Sequence, residues 1–275
     1  MKYADLHIHS TCSDGVNTPE KIIEIAMKNQ VKYISITDHD SIAAQYIINK
    51  SSEKKEIKII PGIELSAEYN GLEIHILGYF IDIKNKDLIQ VVNSLNEQRI
   101  TRVEEILSKL KKYDINLDIN DIALDLGSTI GRSHIANAMV DKGYFENYKN
   151  AFRSYLIQGK PGYVKGFKLD YKEALDIIKI AGGIPVLAHP GQIYKKREIE
   201  NIIKELRCFG LKGVEVYHPS HTCEDINKLF NIAKKYKLSI SGGSDCHGRC
   251  KNIKDSVGSC GLTKDLLEKF ISCKK

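Results

Sequence analysis

The chain has 275 residues, 28% charged and 42% hydrophobic, with Lys+Arg 41 against Asp+Glu 35 and a formal net charge of +6. That length can bury a full core, as one α/β barrel with an insertion, and the mild basic excess suits a phosphate-bearing substrate while falling well short of a nucleic-acid coat protein. The first strand-like segment begins at Tyr3 and no apolar run nears the roughly 18 residues of a membrane span, so a cytoplasmic protein is expected; seven cysteines without a C-x-x-C pair argue against a disulfide scaffold.

Apolar runs at 3–8, 32–37, 57–63, 73–81, 184–188, 213–217 and 238–243 read as seven strands, most of them followed by helical periodicity. The first carries Asp5-Leu6-His7-Ile8-His9, and because alternate side chains of a strand share a face, His7 and His9 can reach one ion. Ser13-Asp14-Gly15 follows as a tight turn that returns a carboxylate to the same pocket. Thr18 is then a helix N-cap, with Pro19 at the first helical position. Thr37-Asp38-His39-Asp40 closes the second strand, its carboxylates able to orient the His39 ring. Glu64 ends the third and, with two oxygens, can bridge two ions. His75 lies on the fourth.

From 86 to 165 this rhythm breaks. Leu88, Val92, Leu95, Arg99, Arg102, Ile106 and Leu110 follow the three-and-four spacing of one helix face, so two arginines interrupt an apolar stripe. The stretch 114–160 is polar, partly helical, and contains Gly131-Arg132-Ser133-His134; it reads as a small, mostly helical cap inserted at 99–165 beside a barrel formed by 1–98 and 166–275. Arg99 and Arg102 can clamp a second phosphate bidentately, and Lys160 and Tyr163 can add a cation and a stacking face.

Beyond the insertion, Gly182-Gly183 and Gly210 or Gly213 end helices just before strands. His189-Pro190-Gly191 and Ser244-Asp245-Cys246-His247 complete the motifs, while His218 and His221 have no assigned role. His7, His9, His39, Glu64, His75, His189, His218 and Asp245 all read as late in a strand or just after it, the face on which parallel barrels build active sites. The nine residues His7, His9, Asp14, His39, Glu64, His75, His189, Asp245 and His247 exceed the roughly eight ligands two ions need, so three divalent ions are expected, with Mn, Fe or Zn favoured by the imidazole and carboxylate mixture. Cys12 and Cys246 read as small neutral neighbours.

The opening Asp-Leu-His-x-His-Ser/Thr, the Ser-Asp-Gly, Thr-Asp-His, Gly-x-Glu, His-Pro and Ser-Asp-x-His motifs, in that order, resemble the PHP (polymerase and histidinol phosphatase) family of metallophosphoesterases. Asp14, the Glu64 to His75 spacing and the Gly-Arg-Ser-His segment are most similar to its branch of nucleoside 3′,5′-bisphosphate phosphatases and 5′ to 3′ exoribonucleases. The resemblance covers essentially the whole chain and implies a distorted (β/α)7 barrel. It also implies a division of ligands: His7, His9, Glu64 and Asp245 on one ion; Asp14, His39 and His247 on a second; Glu64, His75 and His189 on a third. A metal-bridged hydroxide is the nucleophile this ligand set suggests, with His7, His9, Asp14, His39, Glu64, Asp245 and His247 around the reaction; Ser10, Ser13 or Ser244 as nucleophile is the weaker alternative. His134, carried over from the branch's Arg-x-His motif, would contact phosphate or protonate the leaving oxygen. The expected substrates are nucleoside 3′,5′-bisphosphates and short 5′-phosphorylated RNA or DNA, with no membrane and no obligate protein partner. The alternatives are a small-molecule monophosphatase such as histidinol phosphatase, or a non-catalytic metal-binding regulatory module.

Overall fold

The computed structural model describes residues 2–51, 57–122, 129–193, 198–248 and 256–274, the side chains of residues 50 and 51 excepted. Among these residues the strands are β1 (Ala4–Ile8), β2 (Tyr33–Ile36), β3 (Lys58–Ile59), β4 (Gly62–Tyr69), β5 (Leu72–Tyr79), β6 (Leu169–Asp170), β7 (Ile184–Leu187), β8 (Gly213–Tyr217) and β9 (Ser239–Gly242). They form a three-stranded sheet, β1-β2-β3, and a six-stranded one, β6-β4-β5-β7-β8-β9. Single parallel bridges, Ile8 to Cys246 and His39 to Glu64, link the two sheets. The fold is mixed α/β and predominantly parallel.

One strand runs the other way: β5 is antiparallel to both β4 and β7. The cause is local. Asn70 and Gly71 have φ of 47° and 79°, and a two-residue turn with both φ positive matches the twist of a tight hairpin, so β4 folds directly back as β5. This corrects two expectations. The predicted 57–63 strand is split at Pro61 and its second part continues to Tyr69, so Glu64 sits early in β4 rather than at a strand end. His75 likewise lies in the first half of β5, and the reversal carries it to the end of the sheet where β7 finishes, Ala188 N donating to His75 O at 3.0 Å. The asparagine–glycine pair was the available sequence signal.

Helices α1 (Pro19–Lys28) and α2 (Ala43–Ser51) flank the smaller sheet; the Thr18 side chain accepts from Lys21 N, as a capping threonine should. Helices α6 (Tyr171–Ile180), α7 (Ile199–Cys208) and α8 (Cys223–Tyr236) cover the larger sheet, and α9 (Lys264–Ser272) closes the chain. Of the two glycines proposed to end α7, Gly210 takes the left-handed conformation, at φ 107°, while Gly213 opens β8.

The long helix α3 (Lys86–Lys111) runs straight through the expected boundary at 98/99. Its Leu88, Val92 and Leu95 pack into the main core with β4, β5, β7 and β8. Val103, Ile106, Leu107 and Leu110 pack into a second apolar cluster whose buried members, among the described residues, run from Val103 to Leu156, including Ile135 and Met139 of α4 (Arg132–Asp141) and Ala151 of α5 (Tyr148–Ala151). Arg99 and Arg102 fall in the turn where the helix leaves one core and enters the other. Among the described residues no helix is long and apolar enough to cross a membrane.

Candidate metal centre

His7 and His9, two residues apart on and just after β1, point the same way, with their Nε2 atoms 3.1 Å apart. The approach of the chain beyond β9 is what completes this pocket: Asp245 N donates to His7 O at 2.8 Å, and a Cβ on Gly243 would lie 2.3 Å from the His7 backbone N, so only glycine lets the two segments meet. Asp245 Oδ1 then lies 3.1 Å from His9 Nε2 and 3.4 Å from His7 Nε2. His247, two residues on, sets Nε2 3.1 Å from Asp14 Oδ1.

Glu64 is the centre of this arrangement and is fully buried. Its Oε1 lies 3.0 Å from both His75 Nδ1 and His189 Nε2, while Oε2 lies 3.0 Å from His39 Nδ1, 3.2 Å from His9 Nε2 and 3.3 Å from His7 Nε2. Each oxygen thus faces a different set of imidazoles. The compact ligand groups are His9, Asp14, His39 and His247; His7, His189 and Asp245; His7, His9 and Glu64; and His39, Glu64 and His75. In them His189 stands with His7 and Asp245, although its ring also reaches Glu64.

Two observations test whether these residues fit ions. Neighbouring donor atoms stand 3.0 to 3.4 Å apart, close to the edge of about 3.3 Å expected between ligands bound tetrahedrally at about 2.0–2.1 Å. His9 Nδ1, His39 Nδ1 and Glu64 Oε2 are also buried without a hydrogen bond of acceptable geometry, a costly condition that a coordinated ion removes. The residues fit divalent metal ions.

Electrostatics point the same way. Burial alone would depress the His7 imidazole, but the carboxylates of Glu215, Glu64 and Asp245 overcome it and hold the ring well above its ordinary value. His9 is pushed up to about 10 against its burial by Asp245 and Glu64, and His75 to about 10 by Glu64 and Glu73. His189 goes the other way, since burial dominates and keeps its ring neutral. The centre attracts positive charge, and at neutral pH protons compete with metal for it.

The surrounding shell was only partly legible. Glu215, a fully buried carboxylate in the middle of β8, accepts from His7 Nδ1 at 3.0 Å and from His189 N at 2.7 Å, fixing the tautomer that aims His7 Nε2 inward. Sequence reading passed over it, although one carboxylate within an apolar strand is expensive unless paired. His218 also supports the centre, with Nε2 contacting Asp245 Oδ2 at 3.2 Å and Nδ1 contacting Ser220 Oγ at 2.8 Å. His221 instead faces away, Nδ1 toward Val216 O and Nε2 accepting from Gly191 N.

The carboxylates beside His39 do not orient its ring. Asp38 accepts from Ser10 N and Oγ, both at 2.7 Å, and from Ser13 Oγ at 2.5 Å, so it builds the Ser10–Asp14 turn and engages both hydroxyls. Asp40 accepts from Ser66 N at 2.8 Å and pairs with Arg99. Asp40, His189 and Asp245 all have positive φ, of 50°, 25° and 50°, so backbone strain collects at the site. Cys12 and Cys246 pack into the apolar cluster behind β1 and β2.

A cleft of about 930 Å³, counting its open mouth, joins the centre to the helical region. Asp14, His39 and His75 line it from the strand ends, Arg99, Arg102, Arg132, His134 and Phe152 from the helical region, and Phe167 and Lys168 from the segment that leads into β6. Arg102 donates from Nε and Nη2 to Val164 O at 3.0 and 2.8 Å, and burial, then the neighbouring Arg132 and Arg99, press its guanidinium down to about 10. Arg132 donates to Leu156 O at 3.1 Å and lies over the rings of Phe152 and Tyr163. Lys160 is exposed, and neither it nor Tyr163 lines the cleft. Phe167 and Lys168 were not foreseen from sequence, and Arg132 was named only within the Gly131-Arg132-Ser133-His134 segment, without a role of its own.

Imidazoles and carboxylates spaced to hold divalent ions, opening onto a cleft lined by arginines, are what a metal-dependent hydrolase of phosphoesters needs. The PHP domain model matches residues 5–217, and the chain belongs to that family. It is 32% identical over 270 residues to a 3′,5′-nucleoside bisphosphate phosphatase of Chromobacterium violaceum, covering 97% of this chain and 93% of that one. It is also 32% identical over 271 residues to a 5′-3′ exoribonuclease of Haemophilus influenzae, covering 98% and 97%. A phosphoribosyl 1,2-cyclic phosphate 1,2-diphosphodiesterase of Eggerthella lenta is 32% identical over 254 residues, covering 89% and 94%. A crystal structure described as a putative metal-dependent phosphoesterase from Bifidobacterium adolescentis superposes with a TM-score of 0.90 at 27% identity, covering 99% and 96%.

Proposed function

We propose that this enzyme hydrolyses the 3′-phosphoester of nucleoside 3′,5′-bisphosphates, releasing phosphate and a nucleoside 5′-monophosphate, and trims short 5′-phosphorylated RNA or DNA from the 5′ end. One observation carries the reading: the metal ligands Asp14, His39 and His75 line the same cleft as Arg99, Arg102 and Arg132, so one substrate with two phosphates can engage both groups. The relatives named for bisphosphate and RNA substrates support it. The bridged sheets are read as the wall of a distorted (β/α)7 barrel, and residues 99–165 as its cap. A cytoplasmic location goes with this reading.

His7, His9, Asp14, His39, Glu64, His75, His189, Asp245 and His247 would hold three divalent ions, Glu64 belonging to two of the ligand groups. When bound, such ions supply Lewis acidity toward the phosphoryl oxygens and toward water. Arg102 and Arg132 hold the 5′-phosphate, while Arg99, its charge balanced by Asp40 and its Nη2 donating to Ser66 Oγ at 3.2 Å, lines the same cleft. His134 accepts from Gly131 N through Nδ1 at 3.2 Å, so its neutral ring carries the proton on Nε2 and can donate it to the leaving oxygen.

Phosphate release from adenosine 3′,5′-bisphosphate, adenosine 3′-monophosphate, histidinol phosphate and a ribose cyclic phosphate, with Mn, Fe or Zn added, tests the reading. Preference for the bisphosphate is expected. Equal rates with the 3′-monophosphate would sink the two-phosphate anchor, and no release from any compound would favour a non-catalytic module.

A further inference from the structure

Phe167 lies on the rim of the cleft and is 54% exposed, an unusual place to leave a large apolar ring beside three arginines. Its backbone is fixed on both sides. Arg102 grips Val164 O, Lys168 Nζ pairs with Glu73 Oε2 at 2.5 Å, and Leu169 then enters β6 against β4. Next to it, a Cβ on Gly166 would lie 2.7 Å from Arg102 Nη1, so the ring stands one residue from a guanidinium that faces the cleft. A held, exposed aromatic face beside phosphate-binding cations is the combination that nucleotide sites use, because every base offers a π-face and stacking tolerates any sequence.

We infer that Phe167 is the platform on which the substrate's nucleobase stacks, and that it separates nucleotides from base-free sugar phosphates. The inference rests on the nucleotide reading above and adds the part of the substrate that the arginines and metal ligands do not address. It replaces Tyr163, whose ring lies over Arg132 instead.

The chain contains no tryptophan, so Phe167→Trp introduces a single indole that reports stacking without turnover. Adenosine 5′-monophosphate should quench its emission and ribose 5-phosphate should not. Phe167→Ala should narrow the preference for adenosine 3′,5′-bisphosphate over ribose 3,5-bisphosphate by about 10-fold, the scale of one lost base–aromatic stack. Equal quenching by both phosphates, no quenching by either, or an unchanged preference in the alanine variant overturns the inference. Quenching by the nucleotide in a protein whose wild type releases no phosphate from the bisphosphate would leave the stacking site standing and sink the reaction proposed for it.

Discussion

The two sides of the cleft are built on opposite electrostatic principles. On the strand side, Glu64, Glu215 and Asp245 crowd around buried imidazoles and lift His7, His9 and His75 despite their burial, so the pocket is short of positive charge. On the helix side, burial and then the neighbouring Arg132 and Arg99 press the Arg102 guanidinium down, and Arg102 and Arg132 are held by backbone carbonyls rather than carboxylates, so that wall has positive charge to spare. One side is completed by cations and the other by an anion. A phosphate ester between them would meet the cations that the strand side holds and the arginines of the helix side, which neither side predicts by itself.

If the strand side depends on cations, removing a ligand should produce the largest losses. Asp245→Ala and His39→Ala should each lower phosphate release by more than the roughly 100-fold that a lost outer-shell partner costs, and should reduce bound metal measured by mass spectrometry. Near-normal turnover with either variant would break the comparison at its first half. Glu215→Gln comes next. The neutral amide removes the charge that lifts His7 and leaves the His189 N–H facing a group less able to accept it, so metal affinity or activity should fall about 10- to 100-fold.

Those strand-side residues were largely readable from sequence, and the reason is chemical. Metal ligation restricts residue type, and strand alternation places His7 and His9 together within three residues. Glu64 and His75 were found too, but their positions followed from a hairpin that the strand reading overlooked. Glu215 was hidden because its only signal was the cost of burying it. The helix side was legible as an anomaly, two arginines on an apolar stripe, yet their partners Asp40 and Val164 lie 59 and 62 residues away and follow no periodicity. Arg132 owes its place to the start of α4 and Phe167 to the segment between Val164 and Leu169, neither of which follows the periodicity of α3.

The helix side should respond to a smaller change and to a different one. Arg102→Gln removes one charged partner of a phosphate, worth about 1.5–3 kcal/mol, and should lower kcat/KM for the bisphosphate about 10- to 100-fold while metal content stays at the wild-type level. It should also weaken the rise in Tm that adenosine 3′,5′-bisphosphate gives the metal-free protein, since a ligand stabilises the state it binds. A parallel loss of metal would show the two sides to be one structural unit rather than two complementary ones.

The smallest effect distinguishes a built anion site from general basicity. Lys160 is exposed on the turn that precedes Tyr163 and does not line the cleft, so its charge reaches a bound phosphate only through solvent, where salt screens it. Lys160→Ala should therefore change kcat/KM for the bisphosphate by less than about twofold in 0.15 M salt, with the difference shrinking further as ionic strength rises. Arg102→Gln should keep most of its defect under the same conditions, because a half-buried guanidinium is screened much less. Were the two variants to lose activity equally and recover equally with salt, the helix side would be a diffuse basic surface and Arg102 only one charge among many.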